Sequence, residues 1–175
     1  NSPFGGVSLA PESGVLLNDE LSDFTHPDVA KRFGLKDGGP NRPRPGARPI
    51  SSMTPTIVLR DGEPVLATGG SGGMRIAGNV TQAVLYRLVF DKSAQEAVSA
   101  PRFFTPPNGP ILAYAKDQLP PYEVQLNLFE RGEQIEVTPF DFTGVQMVTM
   151  TKLPGGGRKL EAGADPRKGS VGIVE

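Results

Sequence analysis

Thr56-Ile57-Val58-Leu59-Arg60-Asp61-Gly62-Glu63-Pro64-Val65-Leu66-Ala67-Thr68-Gly69-Gly70-Ser71-Gly72-Gly73 decides the architecture. Two β-rich runs on either side of Asp61-Gly62 predict a hairpin. The second run ends in the glycine loop Gly69–Gly73. From Met74 to Phe90, Ile76, Val80, Val84 and Leu88, with Ala77, Ala83 and Leu85, then recur at helical spacing. A strand therefore passes through glycines into a long, mostly apolar helix, buried on more than one side.

Downstream, Ser93-Ala94-Gln95-Glu96 is a capping box that starts a short helix through Val98, and Pro101 stops it. Pro120-Pro121 precede a third helix over Tyr122–Arg131, closed by Gly132. Strands are expected over Gln134–Thr138, Gly144–Lys152 and Arg158–Ala162, with Gly155-Gly156-Gly157 in the last hairpin. Upstream, residues 25–49 are polar and carry Pro27, Pro40, Pro43, Pro45 and Pro49. A stretch of this kind is a lid or arm, or a surface Ω-loop. The order of elements predicts a layered α+β domain, a single one over 1–175, with sheet packed between helices.

At 175 residues the chain can bury a sizeable core. Its 22 glycines and 18 prolines are about double the usual share, so turns and loops are frequent. Lys plus Arg is 18 and Asp plus Glu 19, a net charge of -1, which gives no electrostatic footprint for nucleic acid or an anionic membrane. No apolar run is long enough to span a bilayer. Without cysteine there is no disulfide, thiol nucleophile or thiolate metal site, and one histidine is too few for a His-rich metal site. No cofactor motif is present.

Four groups of residues could carry chemistry. The glycine loop lacks the Lys-Ser/Thr of a Walker loop and the spacing of a dinucleotide fingerprint, because Met74-Arg75 follows. It is an oxyanion hole or carboxylate cradle, or a tight turn. Ser51-Ser52 could bind a carboxylate, or cap and turn the chain. Glu20 and Asp23, three residues apart, would share a face of one helical turn and could hold an ammonium group, or form a solvated acidic turn. His26 sits among prolines, and Arg102, Asp165 and Arg167 lie in Pro-flanked turns that read as structural.

Taken in order, these motifs are more specific than any one alone. The chain resembles the small subunit of the γ-glutamyltransferases (glutathione hydrolases), N-terminal-nucleophile (Ntn) hydrolases. The resemblance runs nearly end to end. It rests on Gly14-Val15-Leu16-Leu17-Asn18-Asp19-Glu20-Leu21-Ser22-Asp23-Phe24 and on Pro45-Gly46-Ala47-Arg48-Pro49-Ile50-Ser51-Ser52-Met53-Thr54-Pro55-Thr56-Ile57. Gly69-Gly70-Ser71-Gly72-Gly73, Ala100-Pro101-Arg102-Phe103 and Ala164-Asp165-Pro166-Arg167 complete it. Ser71-Gly72 stands where many members have Pro-Gly, and Ile173 where many end in Gly-Tyr.

The resemblance implies a four-layer αββα sandwich and an autoprocessed heterodimer with a large subunit cut from the same precursor. It implies that Glu20 and Asp23 bind the substrate α-ammonium, and Ser51 and Ser52 its α-carboxylate. It gives Gly72 and Gly73 the backbone oxyanion hole, Asn1 a contact to the glutamyl group, and Phe33 the closing of the arm over the site. Substrates would be glutathione or other γ-glutamyl compounds, with water or an amino-acid or peptide amine as acceptor, in the periplasm or outside the cell. The nucleophile it implies is a terminal Thr whose own amine serves as base. That Thr is expected before Asn1, together with a first strand pair at the centre of the sheet. Without that pair, Ile57, Val65 and Val145 are expected to lack apolar neighbours. A poly-γ-glutamate depolymerase, a cephalosporin acylase-like enzyme and a non-catalytic γ-glutamyl-binding module remain alternatives.

Overall fold

The computed structural model describes residues 3–32, 36, 39–105, 111–139 and 143–174. The chain divides into two compact units, residues 1–51 and 52–175.

The first unit begins with strand β1 (Pro3–Gly6). Residues 6–17 then fold back on themselves: the Gly6 N–H donates to the Leu17 carbonyl at 2.8 Å and the Leu17 N–H to the Ser8 carbonyl at 2.8 Å. A single 3-10 turn, Glu20–Asp23, and the six-residue helix α1 (Pro27–Arg32) follow. The stretch 25–49, expected to be an arm or loop, thus opens with a helical turn and a half, started by Pro27 at its first position. Phe33 and Asn1, implied as lid and substrate contact, lie outside the described residues.

The second unit carries the predicted hairpin, β2 (Thr56–Arg60) and β3 (Glu63–Ser71). Helix α2 spans Ile76–Leu88, and residues 73–75 before it form a 3-10 turn, so the helix starts two residues later than Met74. Helix α3 (Ala94–Ser99) has the complete capping box: the Glu96 N–H donates to Ser93 Oγ, and the Ser93 N–H to Glu96 Oε2 at 2.8 Å. Then come β4 (Phe103–Phe104), β5 (Ile111–Ala115), α4 (Tyr122–Glu130), β6 (Gln134–Thr138), β7 (Gly144–Lys152) and β8 (Arg158–Ala164). The larger sheet runs β2-β3-β7-β8, antiparallel throughout. The smaller runs β4-β5-β6, with β5 and β6 parallel.

The fold is α+β, as the sequence predicts. Helices α2 and α3 cover one face of the larger sheet. The core lies between them: Leu66 on β3 and Val145 and Met147 on β7 meet Ile76, Val80, Ala83, Ala94, Ala97 and Val98. Fully burying a Val, Leu or Met side chain of this core contributes roughly 1.5–3 kcal/mol. The opposite face carries Ile57, Val148 and Leu160, which are 68%, 43% and 42% exposed.

The expectation that Ile57 lacks apolar neighbours therefore agrees with its exposure. For Val145 it is wrong, since that side chain is fully buried. Pairing of Gly70 with Val145 puts it on the helix-covered face, because alternate residues of a strand face opposite ways. Val65 is also half-covered, packed against the core cluster.

Candidate active site

Glu20 and Asp23 lie on one 3-10 turn in the first unit, the Glu20–Asp23 turn. In that geometry residues i and i+3 eclipse, so the two carboxylates share a face, as their spacing predicts. The turn is fixed by Asn18 Oδ1, which accepts the Glu20 N–H at 2.9 Å, and by the Asp19 carbonyl, which accepts both the N–H and the hydroxyl of Ser22. Phe24, immediately after, is buried and anchors it.

A second tie reaches this turn from the proline-rich segment. Asn41 Nδ2 donates to the Asp23 carbonyl at 2.8 Å and to Thr25 Oγ1 at 3.3 Å. Its Oδ1 accepts the Ile50 N–H at 2.9 Å. Nothing in the sequence pattern singles out Asn41. Ser51 ends this unit and Ser52 begins the next, so the hydroxyl pair stands at the boundary. No regular element spans residues 49–55. The Thr54 hydroxyl donates to the Ser52 carbonyl at 3.0 Å, which turns the chain toward β2.

In the second unit, β3 delivers Gly72 and Gly73 to the mouth of α2. Gly72 has φ 133° and Gly73 φ 60°, both in the region that favours glycine. A Cβ on Gly72 would lie 2.6 Å from Thr143 Cγ2, whereas one on Gly73 would meet open space. Among the described residues, neither glycine N–H donates a hydrogen bond to another protein group. They stand beside the start of a 13-residue helix, where the backbone dipoles favour negative charge. Such a turn can receive an oxyanion.

The residue behind the turn is itself buried and held. Thr143 Oγ1 accepts from Asn79 Nδ2 at 2.7 Å. Asn79 occupies the core stripe Ile76-Asn79-Val80-Ala83 of α2, and an asparagine at a core position is the one sequence signal for this contact.

Arg102, Asp165 and Arg167 form the structural pin that their turns suggest. Asp165 Oδ2 takes Arg102 Nη2 at 2.6 Å and the Val145 N–H at 2.9 Å, and Oδ1 takes Arg167 Nη1 at 2.9 Å. Both side chains of the Arg102–Asp165 pair are fully buried. Burial alone would push the Asp165 carboxyl up. The Arg102 charge and the N–H groups of Val145 and Arg167 outweigh it and hold the carboxyl below its usual range. The pin fixes the start of β7, two residues from Thr143. Among the described residues, no three His, Asp or Glu side chains gather as metal ligands.

The chain is similar to proteins already known. The family model described as Gamma-glutamyltranspeptidase matches residues 1–174. The chain is 37% identical over 183 residues to Glutathione hydrolase 2 of Arabidopsis thaliana, an alignment that covers 97% of this chain and 31% of that protein. The chain thus spans less than a third of that relative's length. Among solved structures, a gamma-glutamyltranspeptidase of Helicobacter pylori superposes with a TM-score of 0.78 at 33% identity, over 95% of this chain and 89% of that one. A cephalosporin acylase from Bacillus halodurans shares the fold alone, with a TM-score of 0.68 at 22% identity over 88% of this chain and 26% of that one. With the family model matched over nearly every residue and a glutathione hydrolase matched at more than a third identity, the chain belongs to the gamma-glutamyltranspeptidase family.

Proposed function

We propose that this chain supplies the substrate-holding and oxyanion-stabilising part of an enzyme that cleaves γ-glutamyl amide bonds, those of glutathione among them. The γ-glutamyl group would pass to water or to the amine of an amino acid or peptide. The observation that carries the reading is the Gly72-Gly73 turn, with two N–H groups unused by the described protein at the start of a long helix.

The chemistry asks for three sets of contacts. Glu20 and Asp23 would take the α-ammonium of the glutamyl group, since a cation needs acceptors on one face. The hydroxyls of Ser51 and Ser52 would donate to its α-carboxylate. Gly72 and Gly73 would donate to the oxygen of the scissile γ-carbonyl as it gains charge.

The attacking group in this reading is the hydroxyl of a terminal Thr outside residues 1–175, on the same precursor as a large subunit. Its own α-amine accepts the hydroxyl proton as the oxygen bonds to the γ-carbonyl carbon. The tetrahedral oxyanion sits against the two glycine N–H groups. The C–N bond then breaks, the amine leaves with that proton, and a γ-glutamyl ester remains. Water or an acceptor amine repeats the sequence in reverse and frees the Thr.

The test compares hydrolysis of a γ-glutamyl anilide by the isolated 1–175 chain and by a precursor extended upstream and allowed to self-process. Activity is expected only in the second. No turnover by either, with γ-glutamyl compounds still bound, would make the chain part of a non-catalytic binding module. Turnover by the isolated chain would put the nucleophile inside it, at Ser51, Ser52 or Thr54, and overturn the mechanism.

A further inference from the structure

The substrate's two charged ends would be held by residues far apart in sequence, with Asp23 at one and Ser51 at the other. Within the first unit a single side chain ties the backbone beside both. Asn41 Nδ2 donates to the carbonyl of Asp23 at 2.8 Å, and Asn41 Oδ1 accepts the N–H of Ile50, the residue before Ser51, at 2.9 Å. The Asn41 carbonyl also accepts the Thr25 N–H at 2.9 Å. Asn41 bonds to neither the Asp23 carboxylate nor the Ser51 hydroxyl in any of these contacts.

Elementary chemistry explains why an amide is needed. The segment from Pro40 to Pro49 carries four prolines, each lacking an N–H, so it cannot build a hydrogen-bonded ladder to its neighbours. Side-chain ties therefore add to its few backbone contacts, such as that between the Asn41 carbonyl and the Thr25 N–H. An amide presents a donor and an acceptor at once, in one rigid plane. A carboxylate offers only acceptors, and a hydroxyl is too short to bridge two backbone strands in the same way.

We propose that Asn41 is a positioning residue: it sets the spacing between the ammonium-binding turn at Asp23 and the carboxylate-binding hydroxyl at Ser51, and so fits the site to a free α-amino acid end. This rests on the γ-glutamyl reading above. Loss of Asn41 acts on substrate recognition and leaves the oxyanion turn of the other unit unchanged. Two of its hydrogen bonds translate into about a tenfold to hundredfold change in affinity.

The self-processed full-length enzyme is assayed with a γ-glutamyl anilide and with its N-acetylated analogue, as wild type, Asn41→Ala and Asn41→Asp. Asn41→Ala is expected to raise KM for the free-amine substrate about tenfold to a hundredfold, with kcat within about threefold. Asn41→Asp keeps an acceptor for the Ile50 N–H but loses the donor to the Asp23 carbonyl. It is expected to lower the preference for the free amine nearly as far as Asn41→Ala does, and it covers the case in which the alanine variant fails to mature. A fall in Tm with wild-type KM and wild-type preference in either variant makes Asn41 a structural tie only and overturns the proposal. A wild-type enzyme that is inactive, or indifferent to N-acetylation, instead removes the reading on which the proposal rests.

Discussion

Gly72 and Thr143 are in direct contact: a Cβ added to Gly72 would come within 2.6 Å of Thr143 Cγ2 and 2.8 Å of Thr143 Cβ. Thr143 is fully buried and bonded to Asn79, so it has no room to withdraw. The φ of 133° at Gly72 adds strain for any L side chain. Gly72→Ala must therefore move the turn. If its N–H groups bind the oxyanion, kcat should fall by about a hundredfold to a thousandfold, with a smaller change in KM.

Gly73 behaves differently. Its φ of 60° lies in the left-handed region that asparagine also visits, and a Cβ there meets no atom. A larger residue at Gly73 should therefore cost less than alanine at Gly72. Steady-state kinetics of Gly72→Ala and Gly73→Asn in self-processed enzyme settle the order. The reverse order would place the oxyanion donors elsewhere.

The hydroxyl pair gives a second test. A hydrogen bond to a charged group is worth roughly 1.5–3 kcal/mol. The double change Ser51→Ala, Ser52→Ala should therefore weaken use of γ-glutamyl anilides by about tenfold to several hundredfold in kcat/KM. Wild-type kinetics in a folded, processed variant would take both residues out of the site.

Local chemistry made most of this legible in the sequence. The Asp61-Gly62 hairpin, the Ser93 capping box and the tail strands follow from turn residues and periodicity, and the 3-10 turn at Glu20–Asp23 realises the face that the spacing implies. Strand β5 escaped because Ile111–Ala115 is a short, nearly continuous apolar run with no alternation. The two-residue β4 is too short to carry a period. The burial of Val145 is not legible in its own strand, because which face it takes depends on the register with β3. The supports of the site, Asn41 and Thr143, were silent because their partners lie far along the chain; only Asn79, a polar residue on an apolar stripe, left a trace.

The carboxylate pair predicts selectivity more than rate. With Glu20 and Asp23 on one face of the same turn, removing one leaves an ammonium group half-paired. Asp23→Ala should raise KM steeply for γ-glutamyl substrates and abolish discrimination against N-acetylated ones. Competition between the two substrates in one reaction measures this directly. Equal use of both by the wild type would contradict the assignment and strengthen an acylase reading.

The Arg102–Asp165 pair predicts stability and its pH dependence. Removing one member strands the other charge in the interior, which costs about 3–5 kcal/mol. Asp165→Ala should lower Tm far more than Lys159→Ala, whose partner Glu161 is reached at 2.9 Å on the exposed surface and whose pair is worth at most about 1 kcal/mol. The folded Asp165 carboxyl is held below its ordinary value. Its contribution is therefore fully present above the unfolded value of about 3.9 and is lost as pH falls through the lower folded value. Wild-type Tm should then drop on acidification below about pH 4 with a steeper slope than in Asp165→Ala, which has no such proton to take up. Thermal melts at a series of acid pH values give the comparison. Parallel slopes would mean that Arg102 and the Val145 N–H do not stabilise the charged form as the 2.6 Å and 2.9 Å contacts require.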